Sequence, residues 1–428
     1  MTMANITLTS AKRDAILRGL EAKRRPIHWT AGKILLAAVL AAVLTVSAFA
    51  AVSPMIREAL ANALGSFIAQ SQPITGVAVE QDGIEIRVVS ALSDSGMTRI
   101  YCEVQDKTGD RLGPNMQIGA MIEGLPWEPD STMIGTTLIA YDKETRTALV
   151  ELRGSGGSSE NDFPATIKFK AFKPIEDLKD SSVRVPIEAV TEKTLTTMLT
   201  EDGKTVLQPN QTELKLEKTE QLRFSSVGFG SDNRLHVQVA FMGAANRNDS
   251  YVLTNARSRS GREDMLYNED ADFISFCQDG IWYEDMAFHV TPSDLEDLVF
   301  DDLYGSLYVK PALEGEWNVD VTIERTPTLT YETNVQVGGA LVKKVNLSAI
   351  SVFVISDSER TVLGHRPTYA MLRDGTKLIL TSNCVSSMWA LDTETNQGHA
   401  YDQWTFNEPL DPAEVVSMNF DGVTVPLQ

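Results

Sequence analysis

The feature that most constrains this chain is an uninterrupted apolar run near its N-terminus. Residues 34–52 read ILLAAVLAAVLTVSAFAAV, and only Thr45 and Ser47 interrupt the apolar side chains. As a helix the run is about 28 Å long, close to the hydrocarbon thickness of a bilayer. Trp29 lies just before it, at a depth where an amphipathic ring is favourable. The sequence therefore predicts a transmembrane helix over 34–52.

The charges on either side of this run predict its orientation. Before residue 34 the chain carries seven Lys and Arg residues against two acidic ones, whereas the other flank offers only Arg57. Because positive charge stays on the cytoplasmic side, we expect the N-terminus inside the cell and the bulk outside. The formal net charge of −20 disfavours nucleic-acid binding, since phosphate repels an acidic surface.

A second interpretation of the run is a secretory signal. Ala48 and Ala50 form an A-x-A pattern of the kind that signal peptidase cleaves, so they are the candidate processing residues. A retained anchor is favoured because the basic segment before the run is long for a signal peptide. Everything after residue 54 is expected outside the cell on either interpretation.

The segment before the run carries a candidate docking helix. Ser10 can cap a helix over 11–25, which would place three apolar residues on one face with basic residues around them. Such a helix suits a cytoplasmic protein partner or anionic lipid headgroups, although a basic flank that only sets topology has the same composition. The candidate partner-binding residues are Ile16, Leu17, Leu20, Arg13 and Arg24.

Beyond the run, the hydrophobic spacing changes from helical to extended. Ser53-Pro54 predicts a cap and first turn, and apolar residues then recur at helical spacing as far as Ile68. We expect this amphipathic helix to pack on the first β-domain. From Gly76 onward the period is two, which is typical of half-buried strands.

The fold predicted from these patterns is mostly β. An N-terminal transmembrane helix and a juxtamembrane helix precede two or three antiparallel, sandwich-like modules of immunoglobulin-like type. A polar linker is expected at about 196–211. The predicted boundaries are 1–33 for the cytoplasmic segment, 34–52 for the transmembrane helix, 53–72 for the juxtamembrane helix, and 73–198, 212–326 and 327–428 for the β-rich domains.

Two local patterns support this organisation. The segment from Ile84, EIRVVSALSDSGMTRIYCEV, resembles that from Leu222, RFSSVGFGSDNRLHVQV, and both place Ser-Asp in a turn between alternating strands. We expect duplicated modules from this faint repeat. Arg373-Asp-Gly-Thr predicts a hairpin, and the alternating strand that contains Trp317 is expected to close the second module.

No motif in the sequence points to an enzyme. Nucleophile-elbow, zinc-protease, phosphate-loop and dinucleotide-binding patterns do not occur, so we expect no catalytic residue and no cofactor. The five histidines share no metal-ligand spacing, so we expect no metal site, and His236 in an alternating strand is expected to face solvent.

Some residues fit either packing or function. Cys102 fits a buried strand position, whereas Cys277 and Cys384 could form a disulfide. An acidic stretch could supply calcium ligands, but it matches no EF-hand loop, and a solvated face is the simpler explanation. Its members are Asn268, Glu269, Asp270, Asp272, Glu284, Asp285, Asp294, Glu296, Asp297, Asp301 and Asp302. Aromatic residues that suit a strand core better than a binding surface are Trp282, Tyr283, Trp389 and Trp404.

The layout resembles a known family. The basic stub, the apolar helix ending in TVSAFA, the segment GVAVEQDGIEIRVVSALSDSG and the closing PLDPAEVVSMNFDGVTVPL are similar to anti-sigma-factor-like single-pass membrane proteins of Gram-positive bacteria. The resemblance implies that the cytoplasmic segment holds a sigma factor and that an extracellular event, often proteolysis, releases it. The stub lacks the His…CxxC pattern of zinc-type anti-sigma domains, so sigma binding would have to use the short helix over 11–25.

The leading hypothesis is therefore a membrane-anchored signalling regulator. Its partners would be a sigma factor at the cytoplasmic segment, the lipid bilayer and an extracellular ligand of the β-domains. The alternative is a cell-surface or secreted β-sandwich binding protein with no cytoplasmic role.

Overall fold

The structure is a computed structural model. It describes residues 53–125, 133–155, 161–178, 183–191, 193–212, 214–215, 219–247, 249–260, 271–357, 368–380, 384–391 and 398–427. All of these residues belong to the compact unit Ala48–Gln428. Within these ranges no helix is long and apolar enough to cross a bilayer. The predicted cytoplasmic segment and transmembrane helix lie outside the described residues.

One α-helix precedes the strands in the described part of the chain. Helix α1, Pro54–Leu64, begins after Ser53, whose Oγ accepts a hydrogen bond from the Ile56 N–H. The helix buries Ile56, Leu60 and Leu64. A 3-10 helix, Gly65–Gln70, continues from it. Shorter 3-10 helices span Ile187–Ala189, Gly243–Ala245, Pro292–Asp294 and Pro412–Glu414.

The rest of the described chain is dominated by antiparallel strands, as predicted. The first group is β1 Gln72–Pro73, β2 Ala78–Gln81, β3 Ile84–Ser93, β4 Met97–Asp106, β5 Met116–Glu123, β6 Met133–Asp142, β7 Thr147–Ser155 and β8 Phe163–Asp177. The second is β9 Thr197–Leu199, β10 Thr205–Leu207, β11 Leu214–Lys215, β12 Leu222–Phe229, β13 Leu235–Phe241, β14 Tyr251–Leu253, β15 Ala256–Ser258, β16 Asp272–Gln278, β17 Ile281–Phe288, β18 Leu298–Phe300, β19 Tyr304–Tyr308 and β20 Leu313–Ile323. The third is β21 Thr328–Val337, β22 Ala340–Ser348, β23 Ser351–Asp357, β24 Thr368–Leu372, β25 Lys377–Leu380, β26 Cys384–Leu391, β27 Gly398–Thr405, β28 Val415–Phe420 and β29 Val423–Pro426.

The same strand order occurs three times. The sheets β1-β3-β4-β7-β6, β11-β12-β13-β17-β16 and β21-β22-β23-β27-β26 each join two hairpins through their inner strands. Between those hairpins the chain contributes a strand that pairs outside the sheet, in the pairs β5–β8, β14–β19 and β24–β28. We call these units module 1 (β1–β8 and β20), module 2 (β9–β19) and module 3 (β21–β29). The predicted repeat matches the equivalent hairpins β3–β4 and β12–β13.

Each module has its own apolar core. The core of module 1 lies between its six-stranded sheet, which β2 joins by pairing with β3, and the strands β5, β8 and β20 of a second sheet. Separate clusters fill modules 2 and 3. Tyr283 and Trp404 are buried among strand residues, as expected for core positions. The predicted hairpin at Arg373 is confirmed by the pairing of β24 with β25.

The strand expected to close the second module instead completes the first. β20 pairs with β8, and Trp317, fully buried, packs in the core of module 1. The alternation of apolar residues correctly gave the buried face of β20 but contains no information about the partner strand. The long strand β8 explains why β20 lies in module 1: β8 pairs with β20 along most of its length, and its last residues pair with β19 of module 2.

The predicted polar linker is also partly strand. β9 and β10 form a hairpin whose Val206 and Leu207 are fully buried. Gly203, at a φ of 79°, lies in the turn between them, where a residue with a side chain would be strained. The few apolar residues of this hairpin were enough to bind it to a sheet, although its composition is that of a loop.

Candidate functional site

The strongest candidate site is the surface where helix α1 and its 3-10 extension lie on the β-modules. We call residues 54–70 the strap. Ile56, Leu60 and Leu64 share a buried cluster with Val89 and Tyr101 of the first module. The strap therefore covers the outer face of the six-stranded sheet of module 1, on the side opposite its core.

The start of the strap is fixed to module 1 by polar contacts. The Ser53 hydroxyl donates a hydrogen bond to Asp142 Oδ2 at 2.9 Å. The Ser53 backbone N–H bonds the carboxylate of Glu103. Burial raises the pKa of Glu103, and the positive charge of Arg87 and the bond from Ser53 oppose that rise. Asp142 is in β6 and Glu103 in β4, so two strands hold the residue that precedes α1.

The end of the strap contacts module 3. The Ser66 hydroxyl donates a hydrogen bond to the backbone oxygen of Asn407 at 3.1 Å. Phe67 packs against both the core of module 3 and the cluster under α1. Ile350, between β22 and β23, belongs to that second cluster and is 1% exposed. The strap thus bridges two modules.

Next to the strap, a buried carboxylate joins the same two modules. Asp94 lies in the turn between β3 and β4 and is 1% exposed. Its Oδ1 accepts hydrogen bonds from the backbone N–H groups of Gly96 and Met97 at 2.8 and 2.9 Å. Its Oδ2 accepts from the hydroxyls of Ser348 and Ser351 at 2.5 and 2.6 Å. Four donors compensate for the loss of hydration of this charge.

Module 2 buries a different polar cluster under a different cover. His236 was expected to face solvent, but it is fully buried beneath the β9–β10 hairpin. Its Nδ1 lies 2.6 Å from Asp285 Oδ1, and its Nε2 lies 3.1 Å from Asp232 Oδ1. The prediction was wrong because alternation placed His236 on the outer face of the sheet without revealing that a hairpin covers it.

These contacts define the protonation state of His236. Burial alone would lower its pKa, but hydrogen bonds to Asp232 and Asp285 outweigh burial and raise the pKa to about 9. With both ring nitrogens held by carboxylates, the imidazolium has no nitrogen left for a substrate. The cluster therefore acts as a structural tie between turn, sheet and cover.

The β9–β10 hairpin is attached to the sheet through the carboxylate of Asp285. The Leu207 N–H donates to Asp285 Oδ2 at 2.9 Å, and Gln238 Nε2 donates to the Leu207 backbone oxygen at 2.6 Å. Glu284, the residue before Asp285 in β17, points to the opposite side of the sheet. Burial raises the pKa of Glu284 to about 7, although the hydrogen bond from the Ser275 hydroxyl opposes that rise. Asp285 is thus the central group that holds the hairpin to the sheet.

The acidic stretch is dispersed rather than convergent in the described residues. Asp297 accepts from Ser258 and Ser260, while Asp272, Asp301 and Asp302 pair with three different arginines. Asp294 caps a 3-10 helix. Among the described residues no group of three metal-ligating side chains converges. Each of these carboxylates has a protein partner of its own. The expected solvated face is wrong for Glu284 and Asp285 of the same stretch, which are buried.

The remaining predicted residues divide between described and undescribed parts of the chain. Ile16, Leu17, Leu20, Arg13 and Arg24 lie outside the described residues. The same holds for Ala48 and Ala50. Cys102 is buried, as expected, and Cys277 is an exposed free thiol in β16.

Sequence reasoning missed the residues that join modules 1 and 3. Asp94, Ser348 and Ser351 come together only because two modules meet. One signal was available: both repeated hairpins carry Ser-Asp in the turn, at Asp94 and at Asp232. In each case the aspartate accepts hydrogen bonds from other side chains, although Asp94 is buried and Asp232 is 21% exposed.

Comparisons with known proteins add little to this description. No protein-family model matches the chain. No curated protein matches it either. A solved structure described as the conserved domain protein from Bacillus anthracis aligns over 80% of this chain and 92% of its own, with 7% identity and a TM-score of 0.21. A score this low supports no conclusion about fold or function.

Proposed function

We propose that the protein is a membrane-anchored signalling regulator of the anti-sigma-factor-like kind. Residues 34–52 would span the cell membrane once, residues 1–33 would bind a sigma factor in the cytoplasm, and the β-modules, taken as three immunoglobulin-like sandwiches, would bind a ligand outside the cell. The candidate contacts with the cytoplasmic partner are Ile16, Leu17, Leu20, Arg13 and Arg24.

The observation that carries this proposal is the position of the strap. Ser53 directly follows the predicted transmembrane helix, and it is bonded to Asp142. The strap then packs on modules 1 and 3. A change in the arrangement of the two modules would therefore act on the residues next to the membrane. A passive anchor requires no such contact.

The cytoplasmic half of the proposal is tested by charge substitution on the predicted helix over 11–25. Leu20→Asp places a charge on the apolar face, whereas Ala22→Asp places the same charge on the opposite face. We expect full-length protein carrying Leu20→Asp to lose a co-purifying sigma factor from native membranes. The Ala22→Asp control should retain it.

Two outcomes would oppose the proposal. Equal recovery of a sigma factor with both variants would show that this apolar face is not the contact. Absence of any cytoplasmic partner from the wild-type protein would favour the cell-surface or secreted binding protein.

A further inference from the structure

The contacts between modules 1 and 3 do more than join two domains, because they share a loop with the strap. Loop 348–351 supplies the hydroxyls of Ser348 and Ser351 to Asp94. Ile350, one of the two residues between those serines, packs in the cluster that contains Ile56 and Leu60 of α1. One short loop therefore contacts both the turn of module 1 and the cover of module 1.

The strap depends on tertiary contacts for its structure. Helix α1 has 11 residues, and isolated helices of fewer than about 12–15 residues are marginal in water. Its order must come from the apolar face formed by Ile56, Leu60 and Leu64. Ile350 of module 3 packs in the same cluster as this face, and Phe67, further along the strap, contacts the core of module 3.

We propose that loop 348–351 is a clamp by which module 3 holds the strap against module 1. When the clamp opens, the strap loses its contacts with Ile350 and the core of module 3 and keeps only those with module 1, which lowers the free energy of local unfolding of α1. The clamp is a property of the fold, and its use in signalling rests on the proposed function.

The chemistry of the clamp suits reversible opening. The contact between Asp94 and the two serines is made of hydrogen bonds, and water can replace the serine hydroxyls on the carboxylate when the modules separate. A second contact comes from Arg325, whose Nη1 donates to the Asp94 backbone oxygen at 2.7 Å. Arg325 lies just before module 3, so it also positions that module relative to the turn. A ligand that displaces module 3 would need to break polar bonds that water can remake.

Hydrogen exchange on the purified full-length chain in lipid nanodiscs tests the clamp directly. The variant Ser348→Ala with Ser351→Ala removes both hydroxyl donors from Asp94. We expect amide exchange across 56–64 to become at least about tenfold faster, equivalent to about 1.4 kcal/mol of local stability. Exchange in β12 and β13 of module 2 should stay unchanged.

A matched control exists in module 2. Ser258 and Ser260 also donate to a shared aspartate, Asp297, at 2.5 and 3.0 Å. The variant Ser258→Ala with Ser260→Ala removes the same chemical groups away from the strap. It should leave exchange across 56–64 at the wild-type rate.

A third variant keeps the test decisive if the double serine variant does not fold. Ile350→Ala leaves the bonds to Asp94 in place and truncates only the apolar contact with the strap, so it should also accelerate exchange across 56–64. Wild-type exchange in α1 despite faster exchange in loop 348–351 would overturn the clamp. Because no cytoplasmic partner is needed, a negative result would leave the sigma-factor proposal untouched.

Discussion

Modules 1 and 2 have the same five-strand order, but they cover the outer face of that sheet in different ways. In module 1 the cover is a helix attached mainly by apolar side chains, among them Leu60 and Leu64. In module 2 the cover is a hairpin that packs Val206 on the sheet and also bonds, through Leu207, a buried ionic cluster centred on Asp285.

The difference concerns how each cover responds to its surroundings. Apolar contact scales with buried area and is indifferent to moderate changes of pH. A cover that is held in part by an imidazolium and two carboxylates depends on their protonation to that extent. The helical cover also connects to a second module, whereas the hairpin is contained within its own. The two covers should therefore differ in their response to pH and to movement of module 3.

Removing the central carboxylate of module 2 should have the largest effect. In Asp285→Ala, the buried His236 loses a charged partner and the Leu207 N–H loses its acceptor. We expect a destabilisation of about 3–5 kcal/mol, measured by hydrogen exchange in β12 and β13. Asp301→Ala, which removes an exposed partner of Arg257, is the matched control and should cost no more than about 1 kcal/mol. Similar losses in both variants would contradict the central role of Asp285.

Truncating the apolar face of the strap should come next. Leu60 is 1% exposed, so Leu60→Ala creates a cavity under α1. We expect a loss of about 2–5 kcal/mol in the local stability of the strap, seen as faster exchange across 56–64. The exposed position 62 on the same helix offers a control, since Asn62→Ala should change exchange little. An equal effect at both positions would show that packing does not hold the helix.

The pH dependence should separate the two covers. The pKa of His236 is raised from 6.5 to about 9, so its contribution is fully present below pH 6.5 and is lost as the pH rises through 9. We expect module 2 to lose on the order of 2 kcal/mol between pH 6.5 and 9.5, while the strap keeps its protection once intrinsic exchange rates are corrected. His236→Gln should remove this pH dependence. A pH profile that is the same with and without His236 would contradict the assignment.

The smallest effect is expected at the surface ion pairs. Arg184 is 82% exposed, and its Nε lies 3.2 Å from Asp302 Oδ1. Because solvent and salt screen such a pair, Asp302→Asn should change the stability of module 2 by no more than about 0.5 kcal/mol. Chemical denaturation of the wild-type protein and of Asp302→Asn in low and high salt measures the difference. A large salt-dependent difference would show that this ion pair contributes more to stability than expected.

The sequence predicted local structure better than it predicted partners. The helix after Ser53, the alternating strands and the hairpin at Arg373 were correct because local spacing and turn chemistry determine them. The pairing of β20 with module 1 could not be predicted, since the alternation of apolar residues in a strand is independent of the strand with which it pairs. The burial of His236 was missed for a related reason: its cover, β9–β10, comes from a segment with the composition of a linker.

The candidate site was less predictable than the fold. The apolar face of the strap was visible from the positions of Ile56, Leu60 and Leu64, and the structure confirms that it packs on the first module. The clamp depends on contacts between residues about 250 positions apart, such as Asp94 and Ser348. No local pattern in a single sequence predicts such a contact, although the repeated Ser-Asp turn contains one of the two residues, Asp94.

One affinity purification from the native host tests most directly whether the protein spans the membrane once and engages a cytoplasmic partner. The intact protein would carry a C-terminal tag, and the captured material would be sized and identified by mass spectrometry. We predict a full-length, membrane-bound chain that carries a sigma factor. A soluble product that begins near Ala51 and carries no cytoplasmic partner would contradict the account, because residues 34–52 would then be an export signal and the β-modules the whole mature protein.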